Sequence, residues 1–75
     1  MDEFRTQTDE LYDYLKVHGS ITPTKALFEL GIYRLSARVS DLRRRGVPII
    51  TERESVKARN GRMVSFARYE LKEVS

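Results

Sequence analysis

The sequence predicts an α+β domain of three helices followed by a two-stranded β-hairpin. Three observations carry the prediction. Capping residues punctuate the first two thirds of the chain: Thr6 and Thr22-Pro23 as helix starts, and Gly19, Gly31 and Gly46 as stops. The apolar residues between them recur at helical spacing. From Ile49 onward, β-branched and alternating residues flank Asn60-Gly61, the strongest short hairpin signal. Seventy-five residues allow one small domain, spanning 1–75. A chain this short buries only about 60% of the surface its unfolded form exposes.

The first helix is expected over about residues 6–18. Thr6-Gln7-Thr8-Asp9 has the form of a capping box with an acid in its last place; Asp2 is an alternative, earlier cap. Leu11, Leu15 and His18 follow at helical spacing, with Tyr12 and Tyr14 beside them. Asp9, Glu10 and Asp13 sit in the early turns, where the helix dipole favours negative charge. His18 is the only histidine. It is expected at the helix end, facing carbonyls or the core, because no cysteine or second histidine stands by to make it a ligand. Ser20-Ile21 is expected as a connector.

The second helix is expected over about 23–30. Thr22 is its N-cap, Pro23 its first residue, and Ile21 a staple against Ala26; Ala26, Leu27 and Leu30 form its apolar stripe. The third helix, over about 33–45, follows Gly31 closely enough to make a tight helix-turn-helix. Taking Leu35 as origin, Val39 falls at about 40° and Leu42 at about −20°, so these three share an inner face. Opposite them lie Tyr33, Ala37, Ser40 and Arg44. Arg34 and Asp41 flank that outer face on one side and Ser36 and Arg43 on the other, with Arg38 and Arg45 nearer the core boundary.

Gly46 and Val47-Pro48 turn the chain into the hairpin, expected over about 49–71. If Asn60-Gly61 is the whole loop, Arg59 faces Arg62, Val56 faces Ser65, Glu52 faces Tyr69 and Ile50 faces Leu71. One face then collects Ile50, Val56, Ala58, Met63, Ala67, Tyr69 and Leu71, and the other Arg53, Lys57, Arg59, Arg62 and Arg68. Val64 and Phe66 fall on the basic face, and Glu52 and Glu54 on the apolar one. A bulge, a longer loop or disorder of residues 54–61 would alter this sorting; alternatively, Val64 and Phe66 form an exposed patch for dimerisation or for covering the first helix. Residues 73–75 are expected as a loose tail.

Composition narrows the function. There is no cysteine, hence no disulfide, no thiolate metal site and no cysteine nucleophile. No apolar run approaches the ~18 residues of a membrane span, and the acidic Met1-Asp2-Glu3-Phe4 is unlike a signal peptide. The expectation is a soluble cytoplasmic protein with no membrane partner. One histidine, no glycine-rich phosphate loop and no evident carboxylate pair argue against an enzyme, a metal site or a cofactor. Residues 1–30 carry a net charge of −3 and residues 31–75 a net of +6. That division suggests a polyanion on one side of the molecule.

Three helices and a hairpin make the winged helix-turn-helix layout, and residues 33–62 alone carry +6. The expected partner is double-stranded DNA. Ala37 and Ser40 are small enough to let the third helix approach a major groove. Arg34 and Arg44 can bind guanine edges or phosphates through two parallel hydrogen bonds. Tyr33 and Ser36 complete the reading set. Asp41 either accepts from cytosine N4 or pairs with Arg38 or Arg45, and the pairing is favoured two to one. Thr22, Arg38, Arg43, Lys57, Arg59, Asn60 and Arg62 are the candidates for backbone or minor-groove contact.

Ile21-Thr22-Pro23, Ala26-Leu27, the run from Leu30-Gly31-Ile32-Tyr33-Arg34 through Leu42-Arg43, Gly46-x-Pro48-Ile49 and Ala67-x-Tyr69-x-Leu71 resemble a family of small helix-turn-helix domains common in bacteriophage and prophage genomes. The resemblance implies a winged helix, DNA binding and, for most members, gene regulation in the host cytoplasm. It departs from the repressor-type pattern, in which alanine stands four residues before the turn glycine; here that place is Leu27. Transcription regulation is therefore the leading expectation. An excisionase-like DNA-bending factor and a winged-helix adaptor for a protein partner are the alternatives. A homodimer or a cooperative array on DNA is expected, with the first helix and the Phe66 patch as candidate surfaces.

Overall fold

The computed structural model describes residues 6–72. The expectations placed on residues 1–4 and 73–75 lie outside them. Helix α1 (Gln7–His18) starts from the predicted capping box: Thr6 Oγ1 accepts from Asp9 N at 3.2 Å, and Thr6 N donates to Asp9 Oδ2 at 3.1 Å. Gly19, at φ 88°, stops it by donating to Leu15 O. His18 is exposed and rests on the Tyr14 ring, 4.2 Å between centroids, so it is a helix-end residue and not a core one.

Ser20–Ile21 is more than the expected connector. It forms strand β1, pairing antiparallel with Glu70 and Tyr69. The hairpin strands are β2 (Ile49–Lys57) and β3 (Met63–Leu71), and the sheet order is β1-β3-β2. The expected two-stranded wing is therefore part of a three-stranded antiparallel sheet. The physical reason is that β2 covers only one edge of β3: on the other edge Leu71 N finds Gly19 O at 2.8 Å, and Ile21 is carried into the core.

Helix α2 (Pro23–Lys25) begins as predicted, with the Thr22 hydroxyl accepting from Lys25 N. It then continues as a π-helical segment (Ala26–Leu30). Widening the turn by one residue per hydrogen bond rotates the later side chains. Ala26 stays fully buried and Leu30 packs on the core, but Leu27 is 37% exposed, so the predicted stripe loses its middle member. Gly31 closes the segment in the left-handed region (φ 68°), and Ile32 N turns back to Ala26 O at 3.0 Å.

Helix α3 (Leu35–Arg44) is two residues shorter at its start than predicted. Tyr33 and Arg34 belong to the turn, and Arg34 is the N-cap. The helix presents Leu35, Val39 and Leu42 inward as the wheel requires. They meet Leu11, Leu15, Ile21, Ala26, Ile32 and Ile49 in one core, with Tyr69 and Leu71 closing it from the sheet.

The hairpin register differs from the predicted one by a residue. Ile49 pairs Leu71, Thr51 pairs Tyr69, Val56 pairs Val64 and Lys57 pairs Met63. The loop is Arg59-Asn60-Gly61, closed by Ala58 N to Arg62 O at 2.7 Å, with Gly61 at φ 86°. A one-residue slip sends every side chain of one strand to the other face. Ile49, Tyr69 and Leu71 now all face the helices, which the two-residue loop would have prevented. The predicted single basic face is split: Arg53 and Lys57 share the helix-side face, while Arg62 and Arg68 share the outer face with Val56, Val64 and Phe66.

If this core holds the domain together, Leu42→Ala should lower unfolding free energy by about 2–5 kcal/mol. Leu27→Ala, on the displaced position, should cost under about 1 kcal/mol. Equilibrium urea denaturation measures both.

Candidate nucleic-acid interface

Helix α3 is held at three points by polar links from α1. Gln7 Nε2 donates to Gly31 O in the turn at 3.3 Å, Thr8 Oγ1 donates to Asp41 Oδ2 at 3.2 Å, and Asp9 Oδ1 accepts from Arg45 Nη1 at 3.0 Å. On the other side Arg43 reaches the start of β2. Its Nε and Nη2 donate to Ile49 O at 3.2 and 2.8 Å, and Nη2 also donates to Thr51 Oγ1 at 2.9 Å. These links tie helix, turn and wing into one frame.

With its inner face fixed, α3 turns Ser36, Ser40 and Arg44 to solvent and leaves Ala37 half-buried. Tyr33 stands 85% exposed in the turn before it. Two shallow depressions follow the helix. One is lined by Arg34, Ala37, Arg38, Ser40, Asp41, Arg43 and Arg44. The other brings Tyr33, Arg34 and Ser36 together with Pro23, Leu35 and Tyr69, where α3 and α2 start. Arg34 borders both. The reading set inferred from the wheel, Tyr33, Arg34, Ser36, Ala37, Ser40, Asp41 and Arg44, thus lines one continuous surface.

The candidate backbone contacts are more divided. Thr22 is half-buried and its hydroxyl already caps α2. Arg43 is engaged by Ile49 O and Thr51, both neutral, so its charge is not cancelled but its fork is occupied. Asn60 Oδ1 accepts from Arg62 N at 3.0 Å and shapes the loop. Lys57, Arg59 and Arg62 are exposed at the hairpin end with no ion pair among the described residues. So is Arg53, which the sequence placed on the basic face but not among the contacts; its only signal was that it stands between two acids and still points away from both strand neighbours. Arg68 is withdrawn from the basic set. It lies opposite Glu52, bonds its carboxylate, and sits 3.3 Å from Glu54 Oε2.

Asp41 occupies the centre of the α3 surface, its side chain 25% exposed. It accepts from Arg44 Nη2, and its Oδ2 lies 3.0 Å from Arg38 Nε, a charge contact without hydrogen-bond alignment. The favoured pairing with Arg38 is present. The pairing with Arg45 is not, because Arg45 is drawn to Asp9. The Arg44 hydrogen bond, with help from Thr8 and the Arg38 charge, holds the Asp41 carboxyl below its ordinary value against partial desolvation. Asp9 is held low by the Thr6 N–H first and by Arg45 second.

Among the described residues no group of histidine and acidic side chains is placed to hold a metal ion, and no helix is long and apolar enough to cross a membrane.

Both lowered carboxyls are deprotonated more readily folded than unfolded. Their contribution to stability is therefore complete above the ordinary carboxylate value of 3.8 and is lost as pH falls through their depressed folded values. Asp9→Asn and Asp41→Asn should each flatten the acid limb of a urea-stability profile taken from pH 6 to pH 2, while leaving its slope above pH 5 unchanged.

No curated protein and no solved structure gives a significant match to the chain. The family model of the winged helix-turn-helix domain matches residues 6–74. That span takes in the helix-turn-helix of α2 and α3, the three-stranded sheet and the hairpin loop, and the chain belongs to the winged helix-turn-helix domain family.

Proposed function

We propose that this protein binds double-stranded DNA sequence-specifically and acts as a transcriptional regulator of the phage type, without catalytic activity, in the host cytoplasm. Helix α3 enters the major groove, and the wing tip of residues 57–62 lies on the backbone or in the adjacent minor groove. The observation that carries this reading is the outer surface of α3. Small Ala37 and Ser40 form its floor, and Arg34 and Arg44 stand at its two ends, with Arg44 77% exposed. A helix that presents little bulk at its centre and planar donors at its ends fits a groove whose base edges accept bidentate hydrogen bonds. Membership of the winged helix-turn-helix family supports DNA as the partner.

The hairpin end supports the second contact. Lys57, Arg59 and Arg62 surround a loop held open by Gly61, and none of them is neutralised by a neighbour among the described residues. One such module offers about 600–1,000 Å² of interface. A homodimer on an inverted or direct repeat, or a cooperative array, extends it. An excisionase-like role would use the same surfaces to bend DNA, and differs in where its sites lie.

Selection of bound duplexes from a random library should yield one preferred site. Its affinity should fall with salt with a log–log slope of about −4 to −5, as expected for ~4–6 neutralised phosphates. Arg34→Ala with Arg44→Ala should abolish the preference for that site over a scrambled duplex. Unchanged affinity in the double variant, measured by fluorescence anisotropy, would count against the α3 surface as the reader.

A further inference from the structure

Thr8 is the buried polar residue of the described chain, 5% exposed on α1. Its hydroxyl points at Asp41 and anchors that carboxylate from behind. In front, the carboxylate engages Arg44 through one nitrogen and faces Arg38 at 3.0 Å. An acid at the middle of a surface meant for a polyanion is costly unless it does something for the arginines beside it.

What it does follows from charge and geometry. A guanidinium has five N–H donors, and Asp41 takes up Nη2 of Arg44 only. The remaining donors stay available in a fixed plane. The pair as a whole is close to neutral, so its pull on phosphate is weak. A base edge carries no net charge and is not repelled by Asp41; a phosphate is. Two hydrogen bonds to a base edge also form in one register only, whereas phosphates are present in every register.

We infer that Asp41 is a specificity-determining positioning residue, which keeps Arg44 from acting as a generic phosphate ligand and aims its free donors at a base edge. Thr8 fixes its orientation from α1. This inference rests on the DNA-binding reading above.

The test uses the full chain, a duplex selected from a random library and a scrambled duplex of equal length. Wild type, Asp41→Asn, Arg44→Gln and the double variant are titrated against both at several salt concentrations. Asp41→Asn should tighten the scrambled complex more than the selected one and lower the selected-to-scrambled ratio about tenfold. Its salt slope should steepen by about one, since one more cation is free for phosphate. In the Arg44→Gln background, Asp41→Asn should leave the ratio unchanged. Equal shifts on both duplexes, or the same loss of ratio without Arg44, would overturn the inference. Circular dichroism checks each variant's fold. Should Asp41→Asn unfold, Thr8→Val carries the test: it keeps the charge, removes the anchor, and should lower the ratio by a smaller factor, while an unchanged ratio sinks the role. If wild type itself shows no preference for any selected duplex, the DNA-binding reading fails and takes the inference with it. A preserved wild-type preference with equal variant shifts defeats the inference alone.

Discussion

The burial of Leu35, Val39 and Leu42 sets everything that α3 shows to solvent. Fully burying each such side chain contributes about 1.5–3 kcal/mol, against about 0.5–1.5 kcal/mol for an ordinary hydrogen bond. The apolar stripe therefore decides the roll of the helix, and the polar links adjust it. Rolling α3 by one residue, about 100°, would push Arg38 or Ser36 into the core. The outward face of Ser36, Ser40 and Arg44 is a consequence of where the leucines and the valine must go. The Gln7, Thr8 and Asp9 contacts then fix the helix against sliding, because each grips a different point from the turn at Gly31 to the C-cap at Arg45.

The same core constraint overrode the turn. Asn60-Gly61 is the sequence signal for a two-residue loop, and local preference alone pairs Arg59 with Arg62. Ile49, Tyr69 and Leu71 must all face the helices, though, and only the slipped register puts them on one side. Gly61 still provides the positive φ, now as the last residue of a three-residue loop. Tertiary burial outweighed a local rule worth a fraction of its energy.

Helix starts and stops were legible because capping chemistry is local: the Thr6 box, Thr22-Pro23, Gly19, Gly31 and Gly46 each act within a few residues. The inner face of α3 was legible because its period is local too. What lay hidden depended on partners distant in sequence. Strand β1 is two residues long and exists only because Tyr69 and Glu70 come alongside it. The π-helical segment has no composition of its own, so the exposure of Leu27 could not be foreseen. Arg43 looked like one more cation in a run of three, and only the return of Ile49 O beneath the helix end turns it into a clamp. Asp41 showed its helical neighbours in the sequence but not Thr8, thirty-three positions away.

The acids of the hairpin complete the electrostatic arrangement. Strand β2 is an edge strand, and nearly all of its length is exposed. Long open edges invite pairing with other chains unless charge interrupts them, and Glu52, Arg53 and Glu54 supply that interruption at mid-strand. Glu52 and Glu54 also hold Arg68, two acids against one base, so the middle of the outer face is mildly acidic. Besides Arg53 on the other face, positive charge is left at the loop and along α3, at opposite ends of the arm. With a screening length of about 8 Å at physiological salt, these act as two separate attractors. On the DNA-binding reading proposed above, a duplex that touches both must span the distance between them.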